Sequence, residues 1–484
     1  MVTGGSVAMS VEGEHLKGAD SLEKSSITFS RVFAEGLVSN APIASLTVVM
    51  TAVAVYSLGS LPLAYIIGSV IILLWVNSPY QFSRKIASSG GVQAFAGSGL
   101  GLSGGMVAGY SYLVYYLILG GANALAFSIF VPSIMSIFGI SLPAIMWLPI
   151  SIAILIPPFL ISIIKTNRSL KYGLVTGVLE IIAIVVLSLV FIGKAGSANT
   201  LAVFTPSLSP TGWSGIFVAS LIASLGLGGP TATTFLGAEA KGGRKTIRKA
   251  LITAQLTVIG VYLLASYAFT IAWGPSNMSG FAASAIPGFI LIDKYTGVVP
   301  LLIVAALLVN SLVGVLLSIN IAMGRFIYYN GKRGIFGKKV ANVSQRHKTP
   351  VRALTYALFI EFFSALAAGF IYGPLLGYFL LVLIATGADF FGHFLVSLSL
   401  PLYARRNMRF SYIFHLIIPL AIMALIGVGF YYTFVPPIYP YWMSPIIVFI
   451  IIAIIFVGSA VYRRKTGVTI SKNPLIPEEV STDV

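Results

Sequence analysis

The chain has 484 residues, of which 57% are hydrophobic and 9% are charged. Soluble domains are about half apolar, so this composition and a mean hydropathy of +0.96 exclude a soluble globular protein and indicate an integral membrane protein. Cysteine is absent, which excludes disulfide bonds, thiolate metal sites and cysteine nucleophiles. The net charge of +17 becomes informative once the basic residues are located along the chain.

The first 26 residues are polar and lack the apolar core and cleavage site of a signal peptide, so we expect residues 1–27 to form a cytoplasmic tail. Twelve apolar runs follow, each long enough to cross the bilayer, which takes about 20 residues as a helix. The sequence therefore predicts an all-α membrane protein with 12 transmembrane helices and no separate soluble domain. The predicted spans are 28–58, 61–83, 104–130, 142–164, 170–193, 213–238, 247–273, 298–328, 352–371, 374–402, 411–434 and 443–462.

The basic residues are divided unequally between the two sides of this predicted topology. The chain has 30 Lys and Arg residues, and all but Lys194 and Lys294 lie in segments on the same side as the amino terminus. By the positive-inside rule that side is the cytoplasm, so we expect both termini there, including a carboxy-terminal tail at 463–484. The positive charge thus reports topology and does not require a nucleic-acid partner.

Two of the predicted spans contain residues that interrupt a helix. The sixth span carries LGLGGPTA, from Leu225 to Ala232, and the first carries VSNAPIAS, from Val38 to Ser45, at a similar depth. Proline and glycine weaken a helix, and unpaired backbone groups are tolerated in hydrocarbon where they line a cavity or meet a ligand. Both spans begin a five-helix half of the chain, and matched breaks of this kind indicate a transporter binding site.

The ends of broken helices offer groups that suit a zwitterionic amino acid. Free N–H groups at a helix start attract a carboxylate, and free carbonyls at a helix end attract an ammonium group. We expect a bulky residue at Gly228 or Gly229 to abolish binding; the alternative is that the breaks only kink the helices or let neighbours pack closely. The predicted substrate-binding residues of the two breaks are Ser39, Asn40, Ala41, Pro42, Ile43, Ala44, Ser45, Gly226, Leu227, Gly228, Gly229, Pro230 and Thr231.

The segment after the second break, TFLGAEAKGGRKTIRKAL, resembles the amino acid-polyamine-organocation (APC) family of permeases. The resemblance continues, in family order, through ASSGGVQAFAGSGLG from Ala87, NIAMGRFIYYNGKRG from Asn320 and HKTPVRAL from His347. Two departures concern the substrate: Pro230 and Thr231 stand where the family often has Phe-Glu, and SNAPIAS replaces a Gly-Ser-Gly signature. The positions that match the first family pattern are Glu239, Lys241, Lys245, Ile247, Arg248 and Ala250.

This resemblance implies a five-plus-five inverted-repeat transporter fold with broken helices 1 and 6, working by alternating access. The core would occupy 28–402, with repeats at about 28–193 and 213–402, and helices 11 and 12, at 411–462, would be peripheral. The family's acidic residue beside the break is missing here, which favours neutral over cationic substrates. The implied partners are an amino acid, a coupling ion and the lipid bilayer, with no cofactor and no metal.

Two tyrosines of the third span, Tyr112 and Tyr116, are further candidates for substrate binding. They share one broad helix face, and helix three lines the site in the fold that the resemblance implies. Tyrosines of membrane proteins also serve in packing and in interface belts, which is the alternative.

Acidic residues inside membrane spans usually face a cavity or a partner, and we take Glu35 and Asp389 as gate candidates. Glu35 follows Arg31 by one turn, so a local ion pair is the alternative. Asp389 lies four residues before His393, so the two side chains can form a structural pair, a gate or a proton relay. Glu239 is expected to pair with basic residues of the adjacent loop.

Glu180 of the fifth span is the candidate for ion coupling. It lies eight residues beyond Tyr172, which places it about 12 Å into the membrane. The resemblance puts this part of helix five beside the break in helix one, where some relatives carry a lysine in place of a bound sodium ion. A glutamate cannot copy that lysine, and a proton-coupling role is as well supported as a purely structural hydrogen bond to helix one.

These features predict a secondary transporter of amino acids, not an enzyme, coupled to protons or, alternatively, to sodium. An amino acid or polyamine exchanger is the next alternative. A proton-conducting subunit of an enzyme complex is more remote, because it requires a relay of acids or histidines across several helices. The sequence has no phosphate-binding loop for ATP hydrolysis and no histidines at metal-ligand spacing.

Overall fold

The computed structural model describes residues 22, 24–336, 338–344, 346–434 and 439–466. This part of the chain is 85% helical and contains no strand. Most of the expected tail at 1–27 and most of the tail at 463–484 lie outside the described residues.

Fourteen α-helices lie within the described ranges, and short 3₁₀ turns join several of them. In chain order they are α1 (Phe29–Val38), α2 (Pro42–Ser57), α3 (Leu61–Ser83), α4 (Val92–Ile137), α5 (Trp147–Ile163), α6 (Thr166–Ala195), α7 (Trp213–Gly226), α8 (Gly243–Trp273), α9 (Met278–Ala283), α10 (Pro287–Thr296), α11 (Val298–Lys332), α12 (Val351–Asn407), α13 (Ile418–Phe434) and α14 (Met443–Thr466).

Ten stretches of the described chain are long and apolar enough to cross a membrane. Three of these stretches are more than twice the length of about 20 residues that one crossing needs. In Val92–Ile137, with 46 residues, the part before the interruption at Gly101 is too short to cross. The other two, Phe29–Ser83 with 55 residues and Val351–Asn407 with 57, are long enough for a crossing on both sides of an interruption. Non-helical residues interrupt both: Leu58, with φ 42°, separates α2 from α3, and Gly373, with φ 77°, lies inside α12. Leu58 is the last residue of the first predicted span, and Gly373 lies between the ninth and tenth.

The helix bounds differ from the prediction in two regions. Helix α4 begins at Val92, twelve residues before the predicted span at 104, and contains Gly101 in a non-helical conformation with φ 75°. The glycine and serine residues of this segment hide the helix from a search for apolar runs. The short helices α9 and α10 lie between the seventh and eighth predicted spans, where the sequence predicted a loop. Neither helix is long enough to cross the membrane, so the predicted spans are unaffected.

Small residues allow the central helices to approach each other closely, as is common in membrane bundles. Helix α4 packs along α12, where a Cβ atom on Gly120 would lie 2.6 Å from Cγ of Glu361 and one on Gly392 would lie 2.7 Å from the Tyr112 ring. Helix α6 lies against α1, and α3 lies against α7. This packing brings the breaks after α1 and α7 into the interior of the bundle.

Candidate functional site

The first helix break comprises Ser39, Asn40 and Ala41, between α1 and α2. Ala41 has the left-handed conformation, with φ 45° and ψ 67°, and Pro42 then starts α2 at a position that suits its fixed φ. The prediction that the unwound segment extends to Ser45 is wrong. The N–H of Ser45 donates to the Ala41 carbonyl at 2.8 Å, so Pro42–Ser45 form the first turn of α2.

The second break is milder than a fully unwound segment. Helix α7 ends at Gly226, Leu227 and Gly228 follow with near-helical backbone angles, and a 3₁₀ helix then covers Gly229–Leu236. Pro230 and Thr231 therefore lie in 3₁₀ turns and are not extended. The α-helix thus ends at the residue that carries the Gly226 carbonyl, and the 3₁₀ helix begins at the residue that carries the Gly229 N–H.

The side chain of Asn40 joins the two breaks directly. Its Nδ2 donates to the Gly226 carbonyl at 3.0 Å, and its Oδ1 accepts from the Gly229 N–H at 2.9 Å. The approach is so close that a Cβ atom on Gly229 would lie 2.5 Å from this oxygen. These are the two kinds of backbone group that the sequence analysis assigns to the ammonium and the carboxylate of the substrate.

Glu180 lies at the amino-terminal end of α2, beside the first break, and is 2% exposed. One carboxyl oxygen accepts from the Ile43 N–H at 3.4 Å, and the other accepts from Nδ2 of Asn310 at 2.8 Å. The neighbouring Ala44 N–H donates to Oγ of Ser311 at 3.3 Å. Protein side chains thus hold the first N–H groups of α2, and helices α6 and α11 supply them.

Helix α8 supplies two further side chains that meet free carbonyls of the breaks. The hydroxyl of Tyr262 lies 3.4 Å from the carbonyls of Asn40 and Pro42. Gln255 donates to the Leu227 carbonyl at 3.0 Å. Because unpaired carbonyls are costly in hydrocarbon, these contacts explain how the interrupted helices are tolerated inside the membrane.

Sequence reasoning missed the contribution of α11. Asn310 and Ser311 meet Glu180 and α2, Ser318 meets Glu35, and Arg325 meets Glu239. Ser311, Ser318 and Arg325 follow one another at intervals of seven residues, about two helical turns, and Asn310 directly precedes Ser311, in a mainly apolar span. That periodicity was a usable signal for a polar face directed at the site.

The two tyrosine candidates have different surroundings. The ring of Tyr116 lies 6.0 Å from the ring of Phe235, in the 3₁₀ segment after the second break. The hydroxyl of Tyr112 lies 3.2 Å from Nδ1 of His393 in α12, away from the backbone groups of the breaks. Tyr116 therefore remains the better substrate-binding candidate of the pair.

The gate candidate Asp389 and its predicted partner His393 both contact Tyr112, which lies between them. The His393 ring also stacks on Trp75, with the ring centroids 3.8 Å apart. The four residues form a polar and aromatic cluster among α3, α4 and α12, so the simple pair of Asp389 with His393 is replaced by a contact through Tyr112.

The other gate candidate, Glu35, is fully buried and accepts from Oγ of Ser318 at 2.8 Å. The predicted alternative of a local ion pair with Arg31 is not formed, because the Arg31 guanidinium donates to the Asn167 carbonyl. Within the described residues, the second oxygen of Glu35 and Oγ1 of Thr231 are buried without a hydrogen-bond partner. Buried polar atoms are normally paired, so these two atoms are available to a ligand or to water.

Glu239 pairs with a helix and not with the adjacent loop, contrary to the prediction. Nε of Arg325 donates to its carboxylate at 2.6 Å, and Nη2 of Arg325 donates to Oγ1 of Thr166 at 2.7 Å. Both charged groups are almost completely buried. Backbone hydrogen bonds join the segment before α1 to the same end of the bundle. The Ile27 N–H donates to the Glu239 carbonyl, and the Ile27 carbonyl accepts from the Lys241 N–H.

Comparison with known proteins bears directly on this arrangement of broken helices. No curated protein matches the chain. The profile of the amino acid permease family matches residues 40–472, which include the second break, the first break except Ser39, and every described helix except α1. The sequence resemblance is thereby confirmed, and the chain belongs to the amino acid permease family of the APC superfamily.

Proposed function

We propose that this multi-pass membrane protein of the amino acid permease family is a proton-coupled symporter in which Glu180 carries the coupling proton. The observation that carries the proposal is the contact of Glu180 with the Ile43 N–H at the first helix break, combined with its contact with Asn310 of α11. Glu180 belongs to α6, and its carboxyl group touches α2 and α11. Its environment therefore changes when any of them moves.

The proposed architecture has twelve spans in two inverted repeats, at about 28–193 and 213–402, followed by two peripheral helices at 411–462. Support comes from two apolar stretches, Phe29–Ser83 and Val351–Asn407, which a residue with positive φ divides into two parts that are each long enough for one crossing. Counting each of these as two crossings gives the twelve spans of the sequence prediction. With both termini in the cytoplasm, the charge asymmetry agrees with the positive-inside rule.

Coupling follows from the hydrogen bonds that Glu180 accepts. Donors such as the Ile43 N–H stabilise the charged carboxylate, and loss of a donor stabilises the neutral acid. If alternating access moves the first break away from α6, Glu180 loses that donor and takes up a proton. The proton is released when the break returns, so proton binding and conformation are linked.

The substrate is proposed to be an amino acid with a neutral side chain. Its carboxylate and ammonium groups would take over the N–H of Gly229 and the carbonyl of Gly226, which Asn40 now satisfies. Oγ1 of Thr231 and the free oxygen of Glu35 offer further polar contacts. Asn40 therefore exchanges its hydrogen bonds with those of the substrate when the site fills.

The test is uptake by the purified protein in proteoliposomes, with a panel of labelled amino acids and with imposed pH or sodium gradients. We expect Glu180→Gln to keep exchange between internal and external substrate but to lose accumulation driven by a pH gradient. The matched control is Glu361→Gln, which changes another fully buried glutamate, in α12 against α4 and away from the breaks. This control should retain both activities.

The coupling role is wrong if accumulation by Glu180→Gln depends on the pH gradient as strongly as accumulation by the unaltered protein. The alternative functions have different signatures. An amino acid or polyamine exchanger would show counterflow and no gradient-driven uptake in the unaltered protein, and a sodium symporter would respond to the sodium gradient alone.

A further inference from the structure

An open cleft of about 480 Å³ lies where the segment before α1 meets the start of α6. Every charged side chain that lines it is basic: Arg31 comes from α1, and Lys165, Arg168 and Lys171 come from the α5–α6 turn and the first turns of α6. Ser26, Thr28 and Asn167 supply further polar groups. None of the activity proposed above uses this cleft.

The two walls of the cleft are fixed against each other by hydrogen bonds. The guanidinium of Arg31 donates to the Asn167 carbonyl, and Nδ2 of Asn167 donates to the Ser26 carbonyl at 2.8 Å. The side chains of Arg168 and Lys171 are exposed and make no hydrogen bond or ion pair with any described residue. Two basic side chains therefore face the cleft with their donors unused.

The amino-terminal end of α6 adds to the positive potential. This helix has 30 residues, its N-cap position is Lys165, and no side chain caps its first N–H groups. Its first turn contains no acidic residue. The helix dipole and the N–H groups of Thr166 and Asn167 favour an anion at this point, in addition to the four charged side chains.

The positive-inside rule does not by itself explain this arrangement. That rule requires basic residues in the loops of one side, whereas here basic residues of two separate elements converge on one cleft. Like charges that line one cleft repel each other, and an anion between them offsets this repulsion. The convergence therefore indicates a ligand with more than one negative oxygen.

We propose that this cleft binds a phosphate group, supplied either by the headgroup of an anionic phospholipid or by a free phosphate. Arginine binds phosphate oxygens in a bidentate manner, and lysine contributes a compact charge, so two of each suit this group. The cleft lies at the start of a membrane-spanning helix, on the side to which the charge distribution assigns the cytoplasm. Anionic headgroups are found at that level of the membrane.

A bound phosphate would hold one end of the bundle closed. Asn167 directly follows Thr166, which binds Arg325, and the backbone N–H groups of Ser26 and Ile27 donate to the Glu239 carbonyl at 3.0 Å. A phosphate between α1 and α6 therefore stabilises the contacts around the buried Glu239–Arg325 pair. This consequence rests on the proposed alternating access, whereas the binding itself does not.

The test measures maleimide labelling of Thr28→Cys, a unique cysteine in the full chain, in nanodiscs. Thr28 is exposed and lines the cleft. One sample contains phosphatidylcholine alone, a second contains added inorganic phosphate at matched ionic strength, and a third contains phosphatidylglycerol. We expect labelling to slow by about tenfold in the second or the third sample. Slowing by lipid identifies a headgroup as the source, and slowing by the salt identifies free phosphate.

Two charge-matched double variants separate a specific site from general attraction. Arg168→Gln with Lys171→Gln should abolish the slowing, whereas Arg405→Gln with Arg406→Gln, on an exposed surface of α12 outside the cleft, should retain it. The proposal is overturned if no sample slows labelling, if the first double variant keeps the slowing, or if both lose it equally. Thermal unfolding of both double variants checks that they fold. Because labelling requires no transport, failure here is distinct from failure of the proposed function.

Discussion

At the scale of single residues, contact between the two breaks depends on Asn40 and Gly229. The Asn40 side chain satisfies one carbonyl and one N–H of the second break, and a Cβ atom on Gly229 would lie 2.7 Å from both the Asn40 backbone nitrogen and the Ser39 carbonyl carbon. Gly228 is different, since its nearest neighbour would lie at 3.4 Å. Adjacent glycines of one motif therefore have unequal roles.

We expect Gly229→Ala to weaken substrate binding much more than Gly228→Ala does. The added methyl group at position 229 pushes the breaks apart, and overpacking of this kind costs about 1–3 kcal/mol. If the whole cost falls on substrate binding, the affinity decreases by about fivefold to 150-fold. The measurement is equilibrium binding of the transported amino acid to purified variants, with thermal unfolding as the check on folding. Equal affinities for the two variants would contradict the asymmetry.

The sequence predicted some of these residue contacts and could not predict others. It placed Glu180 beside the first helix break through the family resemblance, and the contact with the Ile43 N–H has that location. It did not separate Gly228 from Gly229, because their difference depends on how closely α1 approaches α7. Nor did it identify Asn310 as the partner of Glu180, since the two residues are 130 positions apart and meet only through helix packing.

At the scale of elements, the breaks are shorter than the sequence indicated. Proline marks both positions, and glycine only the second, but Pro42 begins α2 and Pro230 lies in a 3₁₀ helix. The apolar pattern cannot distinguish an unwound segment from a tightened one, because both have the same composition. The end of α11 also differs: the predicted span ends at residue 328, whereas the helix continues to Lys332, and Arg325 in its last turns is 2% exposed.

The Glu239–Arg325 pair links α11 to the segment after the second break, and Thr166 joins α6 to the same network. We expect Arg325→Met to destabilise the protein by about 3–5 kcal/mol, because it leaves a buried carboxylate without its partner. The double variant Glu239→Gln with Arg325→Met should be more stable than Arg325→Met alone. Thermal unfolding of the single and double variants measures this coupling.

Labelling of Ala240→Cys provides a second measurement of the same link. Ala240 is 4% exposed and pairs with Ile27 in an isolated parallel bridge. Labelling of this cysteine should be faster in the Arg325→Met background, if the pair holds this end of the bundle closed. Additive stability changes together with unaltered labelling would show that the pair does not link these elements.

At the scale of the whole molecule, composition and charge predicted the membrane class and the all-helical architecture. They did so because a bilayer accepts few backbone solutions and because basic residues cross it poorly. The packing of α4 along α12, and the convergence of both breaks on Asn40, required the three-dimensional structure. Local periodicity carries no information about which helices become neighbours when all of them are apolar.

The twelve-span topology is tested by three single cysteines in a chain that otherwise has none. We expect a membrane-impermeant maleimide to label Leu201→Cys on intact cells, because this residue is 76% exposed in the loop between the fifth and sixth predicted spans. Lys241→Cys and Lys465→Cys, also at exposed positions, should react after permeabilisation and not before. Their protection follows from the basic residues around them, which the positive-inside rule keeps in the cytoplasm.

Labelling of Lys241→Cys on intact cells would reverse the orientation. Labelling of Lys465→Cys on intact cells, with Lys241→Cys protected, would place the two positions on opposite sides of the membrane. That result requires an odd number of spans between them, whereas the twelve-span topology has the seventh to the twelfth span there, which is an even number.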